Sequence, residues 1–438
     1  MLASVFKLLC SLRLTVVLLV LGIAVVFFGT LAQTSDGLYI AQARYFRSWF
    51  STWTPHSGPS WVIVPLPGGY LLGTLLLANL LAAHIKRFQF TWNKVGIHLT
   101  HIGIITLLLG QLLTDMMARE SRMSFAEGQA RTYSEDFHTF ELAFTADVPD
   151  QPGFQDAVVI PESKLKTGSE IRQAQLPFTV KIREYIPNSD PSFRAPMMTN
   201  HPAQASEGIA QRFRFQSTPV NNKMDSKNIP SVVLELMDKS GKSLGTWVAT
   251  GWIGDESMSQ VAALGLAKSM VGGSGERPEE MRRVREMARQ FLGILVVPQT
   301  VRVDGRELAL TLRPTRYYEP YSIRLLKTTH EVYQGTKTPK DFRSRVKLEH
   351  PGGVGDREVE IFMNSPLRYS GLAFFQFQMG EDQFAAVPRG TSVLQVVKNP
   401  SWLTPYVGCI VVGIGMTWQF LYHLSKFHKK RTPSTNLP

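Results

Sequence analysis

The sequence predicts a membrane protein with four transmembrane α-helices plus a large β-rich extracytoplasmic domain with a helical insertion. Three observations predict it. Long uncharged apolar runs lie within residues 1–117 and 401–438. Residues 118–400 are polar and carry repeated period-two strand patterns. Lys and Arg flank the apolar runs on alternating sides, as they do at cytoplasmic ends.

The first span is Leu14 to Leu31, which follows Lys7 and Arg13 and is long enough to cross about 30 Å of hydrocarbon. It exceeds the apolar core of a signal peptide, and more spans follow, so it is expected to remain uncleaved. The second runs from Trp61 to Ile85. Pro65, Pro67, Gly68 and Gly69 disturb its start, so the regular helix should begin near Tyr70, and Lys86 and Arg87 stop it. The third runs from Val95 to Met117, after Lys94. The fourth runs from Trp402 to Leu424, before Lys426, Lys429, Lys430 and Arg431.

The basic flanks put the N-terminus, the loop Lys86–Lys94 and the C-terminal tail inside, and region 118–400 outside. Arg44 and Arg47, in the first outer loop, run against the rule. Trp49, Trp53, Trp61, Trp92 and Trp402 fall where interfacial aromatics are expected.

In the outer domain Phe178–Tyr185 alternates with period two. Val232–Met237 and Ser243–Val248 suggest a hairpin, and Val301–Val303 with Glu307–Leu312 a sharper one about Asp304-Gly305. Val346–Leu348 and Val359–Phe362 flank a Gly-rich turn. The reading is a sandwich or barrel, with one helix over Glu279–Leu292 after the turn Gly272-Gly273-Ser274-Gly275, and a disordered tail Thr432–Pro438.

Composition narrows the chemistry. The net charge of +12 comes from 47 Lys+Arg against 35 Asp+Glu, but much of the excess sits beside the apolar runs, so nucleic acid is not an expected partner. The two cysteines, Cys10 and Cys409, exclude a CxxC redox pair, a cysteine zinc site and a disulfide framework for the outer domain. No GxSxG, HExxH or P-loop is present. His138, His201, His330 and His350 are scattered and read as surface or hydrogen-bonded residues.

His98 and His101 differ, because they lie inside the third span, where ionisable residues are costly. Their i, i+3 spacing puts them on one helix face. They are consistent with interhelical hydrogen bonding, a proton relay, a metal site or haem ligation. A relay would have only Asp115 nearby, near the far end of the span. A metal site would need more ligands. Neutral imidazole is a common axial haem ligand, but two on one face cannot hold opposite faces of one haem. His84, at the end of span two, is a weaker candidate, and His423 and His428 read as flank residues.

Several motifs resemble the ResB/Ccs-type cytochrome c biogenesis proteins over nearly the whole chain. The first span opens with Ser11-Leu12-Arg13-Leu14-Thr15 and closes with Gly29-Thr30-Leu31-Ala32-Gln33. The third carries Lys94-x-Gly96-x4-His101, Ile104-Ile105 and Gly110, and Glu127-Gly128-Gln129 follows. Then come Lys340-Asp341-Phe342-Arg343-Ser344, Met363 to Gly371, Phe374-Phe375-Gln376 and Leu394 to Pro400.

The resemblance implies a subunit of a system II cytochrome c synthase in the bacterial inner membrane, with its large domain periplasmic and both termini cytoplasmic. It implies a CcsA-type partner bearing a WWD motif, and transport of haem b to the CxxCH cysteines of an apocytochrome c. The family's haem-liganding histidine falls on His101, which would bind the haem iron, whereas His98 has no counterpart. His101 lies about seven residues, or about 10 Å, past Lys94, in the inner half of the bilayer. The partner's WWD motif and external histidine pair are absent from this chain, so it is not expected to catalyse attachment alone. Two other readings are a non-catalytic assembly factor that binds a partner through its outer domain, and a haem or electron-transfer subunit without a synthase partner.

Overall fold

The computed structural model describes residues 2–55, 61–149, 153–194, 202–221, 227–271, 278–335, 339–382, 384–385 and 389–431. His201, the turn Gly272-Gly273-Ser274-Gly275 and the tail Thr432–Pro438 lie outside them. The chain forms two compact units, Met1–Arg119 with Lys398–Pro438, and Glu120–Asn221 with Lys227–Val397. Among the described residues four helices are long and apolar enough to cross a membrane: Leu12–Asp36, Gly69–Arg87, Val95–Met117 and Thr404–His428.

In the first unit, α1 (Leu2–Leu9) is separated from α2 (Leu12–Asp36) by Cys10 and Ser11. After α2 come α3 (Leu38–Ala41) and a π-helical turn, Gln42–Phe46. Strands β1 (Phe50–Trp53) and β2 (Val64–Pro67) then form an antiparallel ribbon. Strand β2 occupies the disturbed start of the span expected from Trp61, and the helix begins at Gly69, beside the expected Tyr70. Pro65 and Pro67 lack the N–H a helix interior needs, but a two-stranded ribbon has open edges that tolerate them. Helix α4 (Gly69–Arg87) starts directly after the ribbon, and α5 spans Val95–Met117.

Asn79 of α4 is 2% exposed in an otherwise apolar run. Its Nδ2 donates to the Leu9 carbonyl at 2.6 Å, and Thr15 Oγ1 donates to its Oδ1 at 2.7 Å. The amide thus serves the α1–α2 break, where backbone carbonyls lack helical partners. The two arginines that ran against the charge rule are both paired, Arg44 with Asp36 at 3.3 Å and Arg47 with Asp115 at 2.7 Å.

The second unit opens with β3 (Arg119–Ala126), β4 (Ala130–Asp147), β5 (Gln155–Pro161) and β6 (Glu170–Arg172). Strands β7 (Thr179–Ile186), β8 (Ser189–Phe193), β9 (Phe213–Ser217), β10 (Ser231–Met237) and β11 (Ser243–Thr250) follow. Then come helices α6 (Gly251–Gly254), α7 (Glu256–Val271) and α8 (Pro278–Leu295). The chain ends its sheets with β12 (Gln299–Val303), β13 (Arg306–Val332), β14 (Pro339–Glu349), β15 (Arg357–Phe362), β16 (Leu367–Tyr369), β17 (Leu372–Glu381) and β18 (Gly390–Lys398).

Both architectures suggested by the sequence occur, as two lobes that share strands. In the sandwich lobe the sheet β11-β10-β7-β6 faces β5, β4, β13 and β12 across a core that includes Phe140, Leu142, Ile182, Leu234 and Leu312. In the other lobe the order is β15-β14-β13-β4-β3-β18-β17-β16, and a tight turn at Phe362–Ser365 joins the two end strands β15 and β16. This barrel-like sheet encloses Met123, Phe125, Ile323, Val346, Phe374 and Leu394. Strand β13 serves both lobes. Its first part pairs with β12 and its last part with β14, and register breaks near Pro314 and Tyr318 let it bend between them.

Charged side chains mark where β4 and β13 pass between the cores. Arg313 and Glu141, 5% and 6% exposed, pair at 2.9 Å, and Arg316 pairs with Glu135 at 3.3 Å. Asp255, 2% exposed, accepts from Arg122 and, at 2.7 Å, from Lys227. Burial opposes its charge, but Lys227 and Arg122 outweigh it and hold the carboxyl below the usual range.

The helical insertion is larger than expected. The sequence pattern predicts one helix over Glu279–Leu292, whereas α7 and α8 pack together against Phe213, Phe215, Val233 and Val248. Helix α7 escaped notice because its buried face includes Ala262, Ala263 and Ala267, which give little apolar periodicity. Packed helices on one face and the sandwich core on the other explain why β10 is buried on both faces.

The last helix, α9 (Thr404–Arg431), belongs to the first unit and packs along α5. Gly96, Gly103 and Gly110 recur on α5 and are all buried. A Cβ on Gly96 would lie 2.6 Å from the Gly415 carbonyl oxygen, and one on Gly103 2.8 Å from that of Gly408. The two backbones touch, as small residues permit in membrane helix pairs.

Candidate functional site: a histidine cluster at one end of the helices

The site forms where α4 ends and α5 begins. His84, in the last turn of α4, reaches His101 across the pair, with the two Nδ1 atoms 3.5 Å apart. His84 also meets His98 edge to face, at 5.0 Å between ring centres. The structure therefore brings His84, His98 and His101 into one cluster.

The three histidines have different surroundings. His98 Nε2 lies 2.9 Å from the Gln89 carbonyl oxygen, in the loop between α4 and α5, and Phe88 sits 4.9 Å from its ring. His98 Nδ1 is buried with no partner among the described residues. His101, one turn deeper, borders a cavity of about 440 Å3 between α5 and α9. Ile97, Met416 and Phe420 supply apolar wall, and His423 and Gln419 from α9 complete the polar part. Gln419 Nε2 lies 2.7 Å from His423 Nε2, while its buried Oε1 has no partner among the described residues.

His423 was missed by the sequence reading, which counted it with the basic flank. Its spacing of one turn from Gln419 puts both on one face of α9, but the facing helix is not visible in sequence. The glycine contact sets this geometry, because a Cβ on Gly96 would also lie 2.8 Å from the Gln419 Cβ.

The donor set fits an iron porphyrin. It supplies imidazole nitrogens from α5 and α9 against apolar walls, with buried polar atoms still unmatched. Among the described residues no group of three His, Cys, Asp or Glu side chains is arranged to hold a metal ion.

The described histidines of the second unit, His138, His330 and His350, make contacts within it. His350 Nε2 lies 2.7 Å from Tyr369 Oη, and the His330 ring packs 4.4 Å from Phe342. His138 donates its backbone N–H to Asp136.

Residues 290–391 match the family described as ResB-like. Protein NrfI of Wolinella succinogenes is similar, at 27% identity over 146 residues, which is 33% of this chain. The aligned part spans only 16% of the length of that curated relative.

The ResB-like segment runs from the end of α8 to the start of β18 and does not include the histidine cluster. Its motif residues close and seal the barrel-like lobe. Ser344 Oγ donates to Gln376 Oε1 at 2.7 Å and lies 2.7 Å from Ser392 Oγ, a buried polar knot across β14, β17 and β18. Asn364, Ser370 and Gly371 adopt φ of 63°, 50° and 76°. Ser370-Gly371 thereby makes the two-residue turn between β16 and β17.

Proposed function

We propose that this chain acts in cytochrome c biogenesis as the haem-handling subunit of a system II complex, with haem b as cargo. The observation that supports it most is the convergence of His101 and His423, from two helices, on one apolar cavity. His101 would offer an imidazole nitrogen to the haem iron, and the His84 contact orients its ring. Ile97, Met416 and Phe420 surround the ligand position with apolar groups. Bound haem supplies the vinyl groups that the two cysteines of an apocytochrome c take up. A WWD-bearing CcsA-type partner is needed for that step, because no catalytic motif stands in this chain. The large outer unit holds the apocytochrome or the partner's outer loops.

The test is the absorption spectrum of the chain purified with its partner. A haem band that copurifies and shifts on reduction supports the proposal, and a colourless complex that still matures cytochrome c refutes it. In that event the second reading stands, a non-catalytic assembly factor. It is favoured by the ResB-like match falling wholly in the outer unit.

The proposed orientation places residues 118–400 in the periplasm and both termini in the cytoplasm of the bacterial inner membrane. The pairing of Arg44 and Arg47 with carboxylates supports it, since it offsets their charge in the outer loop. A periplasm-dependent reporter inserted between β14 and β15 is expected to be active. Activity from a cytoplasm-dependent reporter at the same position would reverse the topology.

A further inference from the structure

At the other end of the same helices lies a second cavity, of about 590 Å3, that the haem proposal does not use. Leu77 of α4 and Leu108 and Leu112 of α5 form apolar wall. Its charged pair is Arg47 and Asp115. Asp115, with its side chain 9% exposed, spends one oxygen on Arg47 Nε at 2.7 Å and the other on the Tyr70 hydroxyl. Its charge is therefore already engaged by one cation and one hydroxyl.

Arg47 is the opposite case. Its side chain is 50% exposed, it is anchored at Nε, and its two terminal nitrogens have no partner among the described residues. A guanidinium held this way presents a planar pair of donors that matches a phosphate or carboxylate. The cavity also has unfilled depth, because a Cβ on the lining residue Gly73 would meet nothing within 4 Å. Polar donors at the rim and leucines behind them describe a molecule with an anionic head and a hydrocarbon body.

We propose that this cavity binds an anionic amphiphile, its head on the terminal nitrogens of Arg47 and its chain along Leu77, Leu108 and Leu112. A phospholipid phosphate and a fatty carboxylate share this chemistry. The site is independent of His101 and of haem.

The test uses the full-length chain in mixed micelles of phosphatidylcholine with either phosphatidylglycerol or oleate. Molecules retained after gel filtration in lipid-free detergent are counted by native mass spectrometry. One phosphatidylglycerol or one oleate per chain is expected to survive, and which of them survives identifies the head group. Arg47→Gln should lower that retention by at least about tenfold, the scale of a charge-assisted hydrogen bond. Gly73→Phe should abolish it by filling the cavity from a position that starts in open space. If Gly73→Phe fails to fold, Arg47→Gln alone decides. Retention of phosphatidylcholine at the same level, retention of neither anion, or anion retention unchanged in Arg47→Gln would overturn the proposal.

Discussion

His101→Ala is expected to strip haem from the complex and stop cytochrome c maturation. The substitution removes the imidazole that borders the α5–α9 cavity and leaves apolar wall in its place. Changing even an outer partner of a metal-bound histidine typically costs about 10- to 100-fold, so loss of a direct ligand should cost at least that. His98→Ala should be milder. It removes an interaction with the Gln89 carbonyl at 2.9 Å, of a kind worth about 0.6 kcal/mol on average between membrane helices. His84→Ala should fall between the two, because it frees the His101 ring without deleting it. The measurement is haem per complex, with protein level held by blotting, and added imidazole should partly restore the His101→Ala signal. Full haem in His101→Ala with loss in His98→Ala would move the ligand to His98. No change in either would remove the histidine cluster from haem handling.

The second large effect is expected from the glycines between α5 and α9. Gly→Ala in a helix interior ordinarily stabilises by about 1 kcal/mol. Here the sign should reverse at two positions. A Cβ on Gly96 meets the Gly415 carbonyl oxygen at 2.6 Å, and one on Gly103 meets Val412 Cγ2 at 2.6 Å and the Gly408 carbonyl oxygen at 2.8 Å. Backbone atoms cannot turn aside as side chains do, so the helices must separate, at a cost of roughly 1–3 kcal/mol. Gly413→Ala is the control, since its Cβ meets nothing within 4 Å on the same α9. Thermal aggregation of the detergent-solubilised protein should fall in temperature for Gly96→Ala and Gly103→Ala but not for Gly413→Ala. Equal behaviour of all three would mean that the helices do not touch there. Gly96→Ala should also lower haem retention, because Gly96 abuts Gln419 on the cavity wall.

Local signals account for what the sequence made legible. The spans showed as uncharged runs ended by Lys or Arg, and α5 has the bounds expected of it, Val95–Met117. Asp304-Gly305 announced its hairpin because both residues adopt positive φ, 51° and 73°, as the tight turn requires. What stayed hidden depends on distant partners. Neither the β1–β2 ribbon nor the shared use of β13 leaves a periodic trace. His98 and His101 stood out as polar residues in an apolar run. His84 stood out only weakly and His423 not at all, since each sits among basic residues at a helix end and only packing gives it a neighbour in the cluster or cavity.

The neighbours β3 and β18 have a consequence for the order of events during synthesis. Ser121 Oγ donates to the Val396 carbonyl oxygen, and Gln395 bonds Glu120, so strands 275 residues apart in the chain lie side by side. Strand β3, the first of this sheet to leave the ribosome, must wait for the last before its edge is covered. Until then β3 and β4 expose apolar faces and unpaired backbone, the features that invite aggregation. With no disulfide to trap a partial sheet, closure rests on this one late pairing. A chain cut before β18 would therefore lose a strand from the middle of its sheet rather than its margin, and quality-control proteases should remove it quickly.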